Sequence, residues 1–385
     1  MLKVLHITGD SKFGGGSIII LRLAELAKQQ GWQVDVLTTD LAFQKALNKS
    51  EIGVAPLDCI WRDVHALRDL HGLYKLSAFL RGAGYALVHT HTSKAGFVGR
   101  LAAKMAGVPV VLHTVHGFAF HEWSSPVTVR AFVALERLAA YATDSVVTVS
   151  EFHRDWAERL GIGSPNKLIA IPNGIPLERV RPSRSRVQVR TELGFDLDEY
   201  VILSTGRIAP QKGLEYLIQA VPSVCSRLGR ALKVVLAGEG SALSAIESQA
   251  KALGIGPQVR FLGFRNDIGD LLEAADLVVL PSLREGLSIA LLEAMAARKP
   301  IVTTSIGSNL EVTMRGAVAL LVAPKNSEAL AEAILHLAFN PQEADRLAQA
   351  AYAHYLATYT EEQMLAAYLE KYRQLLRCKA ILSNG

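Results

Sequence analysis

Short apolar runs alternate with helical patterns along the whole chain of 385 residues. Leu2–Thr8 and Tyr200–Thr205 are typical runs, each followed by a loop and then by apolar residues at helical spacing. This alternation is typical of parallel sheets covered by helices on both faces. Because the chain is too long for one ordinary hydrophobic core, the sequence predicts two doubly wound α/β domains, one in each half.

The predicted domain boundary lies near residue 180. We expect a first domain over residues 1–180 and a second over residues 190–355. A polar linker is predicted at Glu178–Arg190, where the alternating pattern stops. The tail, Asn326–Arg377, shows a helical pattern.

Composition limits the classes of partner. Half of the residues are hydrophobic and 20% are charged, which argues against a disordered chain. The net charge is +5, and the first 180 residues carry 19 Lys and Arg against 15 Asp and Glu. This excess suits an anionic acceptor or a membrane surface. It is too small to indicate nucleic-acid binding, and clusters of basic and aromatic residues are missing from the sequence.

The cysteines and the N-terminus indicate a cytoplasmic protein. Cys59, Cys225 and Cys378 are widely spaced, which predicts neither a disulfide framework nor a thiolate metal site. Leu2–Thr8 ends in a polar glycine loop rather than in a signal-peptide cleavage site. No apolar run approaches the roughly 20 residues of a membrane span. Contact with the inner face of a membrane would therefore be peripheral.

One segment, residues 62–81, combines cations with leucines at helical spacing. It predicts either a basic amphipathic helix on anionic lipid or a crossover helix that buries its leucines on the sheet, which is the commoner outcome. The residues concerned are His65, Arg68, His71, Lys75 and Arg81 among Leu67, Leu70, Leu73 and Leu76.

The stretch Arg284–Pro300 follows the predicted strand Leu277–Leu280 and opens a helix, with Ser288 as its predicted N-cap. Backbone N–H groups at such a helix start, here at Gly286, Leu287 and Ser288, favour anionic phosphate oxygens.

Two glutamates flank this predicted anion site. Glu285 lies just outside the helix and Glu293 lies about two turns inside it. Ionised carboxylates accept hydrogen bonds, so the pair could bind sugar or ribose hydroxyls. The alternative is that Glu293 is a solvated helix residue and Glu285 a loop charge.

A second loop, Gly206–Gly213, also lies between a predicted strand and a helix, where open parallel sheets bind ligands. Arg207 offers a planar fork of donors and Lys212 a point charge, which suits the two phosphates of a diphosphate. The alternative is that both are surface charges.

The first half has its own glycine loop and a cluster of histidines. Gly14–Gly16 separates a strand from a helix without the GxGxxG spacing, which counts against a Rossmann dehydrogenase. No metal-binding spacing such as HExxH links the histidines, so a metal site is not predicted. His116 differs from the others because it follows a strand and precedes Gly117. The remaining members of the cluster are His89, His91, His113 and His121.

Taken together, these motifs resemble the family 4 retaining glycosyltransferases of GT-B fold, of the bacterial surface-polysaccharide type. The resemblance departs at Ala297-Arg298, where the family commonly has a small residue and Gly, and at Ile306–Ser308, where it often has two glycines. The matching motifs are the Gly-Arg…Lys-Gly loop, EGLSIALLEAMA, PNGI at Pro172–Ile175, Gly14–Gly16 and HGF at His116–Phe118.

The resemblance implies two Rossmann-like domains that face a central cleft, with a C-terminal helix at residues 361–377 packed on the first domain. It implies a hexosyltransferase that needs neither a metal nor a cofactor. The donor would be a nucleotide-sugar, for which we favour UDP, and the acceptor a glycan or a polyprenyl-diphosphate-linked saccharide. Retention without a second carboxylate near the anomeric carbon favours front-face attack.

The resemblance also assigns the site residues. The predicted catalytic residues are His116, Arg207, Lys212 and Glu285. The predicted donor-binding residues are Gly15, Gly16, Arg207, Lys212, Arg265, Glu285, Gly286, Leu287, Ser288 and Glu293. Within these sets, His116 would contact the transferred sugar, Glu285 its hydroxyls and Glu293 the ribose, while Arg265 would lie near the base.

Two alternatives remain. A nucleotide-sugar epimerase or hydrolase on the same architecture would release isomerised donor or free sugar without an acceptor. A non-catalytic nucleotide- or glycan-binding protein is disfavoured because Arg207, Lys212, Glu285 and Glu293 are all present.

Overall fold

The computed structural model describes residues 1–9, 14–61, 63, 65–120 and 124–381. The chain forms two compact units. One consists of Met1–Asn173 together with the chain from Glu362 onward, and the other is Gly174–Glu361.

The first unit is built on a parallel sheet in which the strand order is β3-β2-β1-β4-β5-β6-β7. The strands are β1 (Lys3–Gly9), β2 (Gln33–Thr38), β3 (Gly53–Val54), β4 (Leu87–His91), β5 (Val110–Val115), β6 (Ser145–Thr148) and β7 (Leu168–Ala170). The helices between them are α1 (Gly15–Gln29), α2 (Leu41–Lys49), α3 (Ala66–Ala83), α4 (Ser93–Ala106), α5 (Pro126–Tyr141) and α6 (Glu151–Arg159).

The second unit has a parallel sheet in the order β10-β9-β8-β11-β12-β13. Its strands are β8 (Tyr200–Thr205), β9 (Leu232–Ala237), β10 (Val259–Phe261), β11 (Leu277–Leu280), β12 (Ile301–Thr304) and β13 (Leu320–Val322). Its helices are α7 (Arg186–Leu193), α8 (Leu214–Arg227), α9 (Leu243–Ala252), α10 (Ile268–Ala274), α11 (Ile289–Ala296), α12 (Gly307–Val312), α13 (Ser327–Phe339) and α14 (Pro341–Thr358).

The final helix, α15 (Glu361–Cys378), packs on the sheet of the first unit. The hydroxyl of Tyr372 lies 2.7 Å from Nδ1 of His89 on β4, and the hydroxyl of Tyr368 lies 3.1 Å from Oγ1 of Thr114 on β5. Both tyrosines are fully buried.

The strands are buried on both faces, as parallel sheets between helices require. Every residue of β5 and of β8 is buried, and apolar side chains from α8 and α13 cover the sheet of the second unit. These two parallel sheets confirm the predicted α/β fold class. Each sheet directs the carboxyl ends of its strands to one edge, where ligands bind in this class of fold.

The polar run Glu178–Arg190 carries ordered structure within the second unit. Helix α7 begins in it at a capping box formed by Ser185 and Gln188. The guanidinium of Arg190 is fully buried and donates hydrogen bonds to Asp276 and to backbone carbonyls. These partners explain why a polar sequence is ordered here. Because some of them are more than 80 positions away in the chain, the local sequence pattern does not predict these contacts.

Helix α3 has two different faces. Leu76 and Leu80 are buried, as expected of a crossover helix, whereas Leu67, Leu70 and Tyr74 are exposed. Arg62, which the predicted basic segment included, lies outside the described residues. Within the described ranges, none of the helices is long and apolar enough to cross a membrane.

Arg298 occupies the position at the end of α11 where the resembled family commonly has Gly. Its φ is +53°, in the left-handed region, and its guanidinium lies 4.1 Å from the ring centroid of Tyr352. We expect Arg298→Gly to be more stable than Arg298→Ala by about 1 kcal/mol, because both lose the ring contact but only Ala keeps the left-handed strain.

Urea unfolding of the two variants, followed by circular dichroism, measures this difference. Equal free energies of unfolding for the Gly and Ala variants would show that position 298 carries no backbone strain.

Candidate active site

The two loops predicted to bind the donor lie side by side at the carboxyl ends of β8 and β11, which are adjacent in the sheet. Gly213 has a φ of +61°, and a Cβ there would lie 2.2 Å from the carbonyl oxygen of Pro281. The amide of Leu283 donates to the carbonyl of Gln211 at 2.8 Å. Only glycine fits at position 213, and it allows the two loops to pack backbone against backbone.

Lys212 and Glu285 form an ion pair where these loops meet. Nζ of Lys212 lies 2.5 Å from Oε1 of Glu285, which also accepts a hydrogen bond from Oγ of Ser282 at 2.7 Å. The hydroxyl of Ser308 donates to the backbone carbonyl of Glu285 at 3.2 Å. The side chains of Lys212 and Glu285 are only 18% and 9% exposed. The pair therefore has a fixed geometry, and charge-assisted bonds of this kind are stronger than neutral ones.

Arg207 lies on the same edge but is exposed. None of the carboxylates in the described ranges pairs with its guanidinium, so its charge is available to an anion. Arg207 and Lys212 line a small pocket at the ends of β8 and β11. The other lining residues include Ser204, Thr205, Gly206, Ile208, Leu280, Pro281 and Ser282.

A third loop, Gly238-Glu239-Gly240 after β9, supports the Arg207 loop. A Cβ at Gly238 would lie 1.8 Å from the carbonyl oxygen of Gly206, and one at Gly240 would lie 2.1 Å from that of Ile208. The amide of Ile208 donates to the carbonyl of Glu239 at 2.9 Å. The sequence pattern indicates only a loop here. The two glycines that flank Glu239 are the signal in the sequence for close contact between backbones.

Glu293 is buried within α11, with 3% of its surface exposed, so the interpretation of a solvated helix residue is wrong. Nε of Arg179 lies 2.5 Å from its Oε1. Burial raises the pKa of Glu293, while the charges of Arg179 and Lys212 act in the opposite direction. The sequence pattern places Arg179 in a predicted linker and gives no sign of this contact. Arg179 and Glu293 are 114 positions apart, and only the fold brings them together.

At the start of α11, the side chain of the N-cap residue makes no hydrogen bond to the helix. Ser288 is this N-cap residue, as predicted. Its Oγ is buried and has no partner within the described part of the chain. Gly286 is half-buried and Leu287 is buried just before it. A buried hydroxyl and the first amides of a helix, adjoining the loop that carries Glu285, match what an anionic ligand needs.

Arg265 forms a two-pronged ion pair with Asp267, in which Nε and Nη2 lie 2.8 and 2.5 Å from the two carboxylate oxygens. These bonds raise the pKa of Arg265. Asp267 also accepts a bond from Arg184 at 2.5 Å. The bonds of Arg265 thus go to Asp267 rather than to the Lys212–Glu285 pair.

In the first unit, Gly14 is the N-cap of α1, and Gly15 and Gly16 form its exposed first turn. A Cβ at Gly16 would meet nothing within 4 Å. The backbone of this turn is therefore open to a ligand.

His116 follows β5 and is partly exposed. Its Nε2 lies 3.2 Å from Nδ1 of His91, and Nε2 of His91 lies 3.1 Å from Nδ1 of His6. Burial lowers the pKa of His116 to about 4, so its imidazole is neutral near pH 7.

Nitrogens of His6, His89 and His91 lie within 4.8 Å of one another, close enough to hold a metal ion. Both ring nitrogens of His89 and of His91 already have hydrogen-bond partners, however. The cluster is therefore a hydrogen-bonded network, and the predicted member His121 lies outside the described residues.

Comparisons with known proteins decide the family. The model of the glycosyl transferase 4-like domain matches residues 14–174, and that of glycosyl transferases group 1 matches residues 185–354. An uncharacterized glycosyltransferase of Methanocaldococcus jannaschii is 31% identical over 332 residues, which cover 83% of each chain. The chain belongs to the group 1 glycosyltransferases. The resemblance to glycosyltransferases drawn from the motifs is thus confirmed.

Other relatives of this glycosyltransferase extend the comparison. The Escherichia coli UDP-Gal:alpha-D-GlcNAc-diphosphoundecaprenol alpha-1,3-galactosyltransferase is 28% identical over 80% of each chain. The crystal structure of Anabaena HepE in complex with UDP-glucose matches with a TM-score of 0.84 and 24% identity, over 97% of this chain and 100% of that one. The structural match confirms the GT-B fold.

Proposed function

We propose that this glycosyltransferase moves a hexose from a UDP-sugar to a glycan or lipid-linked saccharide acceptor, with retention of the anomeric configuration. The observation that carries this proposal is the half-buried Lys212–Glu285 pair at the ends of the adjacent strands β8 and β11. In such a pair the cation would bind phosphate and the carboxylate would accept hydrogen bonds from sugar hydroxyls.

The diphosphate of the donor would bind to Arg207, Lys212 and the amides at Gly286, Leu287 and Ser288. Negative charge grows on the diphosphate as its bond to the sugar breaks. Cations and amides that are already in place stabilise that charge without reorganisation. The same groups make a divalent metal unnecessary in this proposal.

The remaining groups would recognise the sugar and the nucleoside. Glu285 would accept hydrogen bonds from the sugar hydroxyls, and Glu293, oriented by Arg179, from the ribose. Arg265 would lie near the base. In the first unit, His116 would contact the transferred sugar, and the exposed turn at Gly15 and Gly16 would also bind the donor.

UDP is the favoured nucleotide because the Escherichia coli relative is named for UDP-Gal and the HepE crystals contain UDP-glucose. The same relative acts on a GlcNAc-diphosphoundecaprenol acceptor, so we infer a polyprenyl-diphosphate-linked saccharide in surface-polysaccharide synthesis. Such an acceptor lies in a membrane. Leu67, Leu70 and Tyr74, exposed on α3 beside Arg68 and Lys75, would suit peripheral contact with its inner face.

Retention would proceed by front-face attack, in which the departing phosphate takes the proton of the acceptor hydroxyl. Hydrolytic retention through a covalent intermediate normally requires a pair of close carboxylates. Glu285 is bonded to Lys212 and Glu293 to Arg179, which leaves neither as a free nucleophile. A glycosyl group trapped on a residue of this chain would contradict the mechanism.

A panel of nucleotide-sugars tests the proposal. We expect slow release of UDP from one UDP-hexose, strong acceleration by a saccharide diphosphate lipid, and an α-linked product by NMR. The rate should be unchanged in excess EDTA, because the proposed charge stabilisation comes from side chains and amides. Free or isomerised sugar at the same rate with and without acceptor would instead indicate the hydrolase or epimerase alternative.

A further inference from the structure

Three histidines form a row that ends at the carboxyl edge of the first sheet. His6 lies on β1, His91 ends β4 and His116 follows β5, and these three strands are neighbours. The ring nitrogens meet in sequence, at 3.1 Å between His6 and His91 and at 3.2 Å between His91 and His116. His6 and His91 are fully buried, whereas His116 is partly exposed. The row therefore runs from the buried core of the first unit to the partly exposed His116.

Each imidazole of the row is neutral near pH 7. Burial lowers the pKa of His6 to about 3 and that of His116 to about 4, and it lowers the pKa of His91 well below its usual value. A neutral imidazole has one N–H and one bare nitrogen. Each bond in the row then has one donor, and all bonds must point the same way.

The inner end of the row sets this direction. Nε2 of His6 is buried and has no partner in the described ranges. Among buried backbone groups, an N–H without an acceptor is rarer than a carbonyl without a donor, and we apply the same preference to the ring nitrogens of His6. The proton of His6 therefore lies on Nδ1, which donates to Nε2 of His91. His91 must then carry its proton on Nδ1, which donates to Nε2 of His116.

We infer that His6 and His91 are positioning residues that hold His116 in the Nδ1–H tautomer, so that His116 offers a hydrogen-bond donor to an oxygen of the transferred sugar. This inference rests on the proposed function, because it assumes that the sugar lies at His116. No proton is transferred in this role, and the row only fixes which ring nitrogen donates.

The backbone after His91 has a feature that is common at functional sites. Thr92 has a φ of +59°, which is unusual for a β-branched residue, and its Oγ1 donates to the carbonyl of Thr8 at 3.3 Å. Backbone conformations of this kind are costly and cluster at functional sites. Here the strained residue directly follows the central histidine of the row and ties its loop to β1.

The tautomers can be measured directly. In long-range proton–nitrogen NMR spectra of the whole protein labelled with [15N]histidine, the nitrogen shifts show which ring nitrogen carries the proton. The His116→Gln variant assigns the signal of His116 by its loss. We expect His116 and His91 to be Nδ1–H tautomers near pH 7. A proton on Nε2 of His116 would overturn the inference, whatever the activity of the enzyme.

Two substitutions at His91 test the functional consequence. His91→Leu removes the donor to His116 and should lower kcat/KM for the UDP-sugar about tenfold or more, mainly through kcat, because the ring of His116 is no longer oriented. His91→Asn keeps a donor near the position of Nδ1 and should recover most of this loss. Equal activity of the Leu variant and the native enzyme would contradict the inference.

His113→Leu is the matched control. His113 is buried on β5, but its Nδ1 bonds to Thr90 and not to the row. This variant should lose stability without changing the His116 signal. If the native enzyme showed the expected tautomers but transferred no sugar from any donor, the proposed function would fail and the tautomer assignment would stand. Active enzyme with His116 protonated on Nε2 would refute the tautomer assignment and leave the proposed function intact.

Discussion

Replacing Glu285 by alanine is expected to reduce kcat/KM for sugar transfer by about 10³-fold, the upper end of what removal of one preorganised electrostatic group costs. The substitution removes the proposed acceptor for the sugar hydroxyls. It also removes the partner that holds Nζ of Lys212 at 2.5 Å, so the phosphate-binding cation loses its fixed position. Steady-state kinetics with the preferred UDP-sugar measure the change.

Glu285→Gln separates these two contributions. Glutamine keeps an oxygen that can accept from Ser282 but carries no charge to hold Lys212. We expect an activity between those of the native and alanine enzymes. Glu247→Ala, the same change on the exposed face of α9, is the matched control and should leave kcat/KM unchanged. If Glu285→Ala kept more than about a tenth of native activity, contrary to the usual cost of such a loss, Glu285 would not be a site residue.

Replacing Glu136 by leucine is expected to destabilise the first unit by about 3–5 kcal/mol. Glu136 on α5 pairs with Arg100 on α4 at 2.7 Å, and the Arg100 side chain is fully buried. Nη1 of Arg100 already lacks a partner among the described residues, and burial lowers the pKa of Arg100. Without Glu136 the guanidinium would be a buried charge with no counter-ion, which is the costly case.

Guanidinium unfolding followed by tryptophan fluorescence measures this effect in the first unit alone, because all four tryptophans of the chain lie within residues 1–173. The double variant Arg100→Met/Glu136→Leu should recover most of the stability, since an apolar pair often replaces a buried ion pair at little cost. A double variant as unstable as Glu136→Leu would show that the loss comes from packing rather than from the unpaired charge.

The strands and loops of the site could be predicted because their signals are local. The runs at Tyr200–Thr205 and Leu277–Leu280 coincide with β8 and β11, and the breakers after them mark the loops. Strand β3, Gly53–Val54, cannot be predicted from the sequence, because a strand of two residues has no detectable period. The three helices of the tail match the pattern over Asn326–Arg377.

What sequence analysis missed depends on contacts between distant residues. The bond from Arg179 to Glu293 and the bond from Lys212 to Glu285 both arise because parallel strands bring their carboxyl ends to one edge. The motifs of Lys212 and Glu285 indicate a shared site, but the sequence does not show that the two side chains form an ion pair. The order of the histidine row follows from the strand order β1-β4-β5. The positions of His6, His91 and His116 in the sequence do not reveal this strand order.

The placement of α15 on the first sheet affects the order in which the protein can fold during synthesis. His89 bonds to Tyr372, which is 283 positions later. At typical translation rates the ribosome needs on the order of 15–60 s to make the intervening chain. The second unit, continuous from Gly174 to Glu361, can be completed while the first still lacks its last helix. The half of the protein that is made first is therefore the half that matures last.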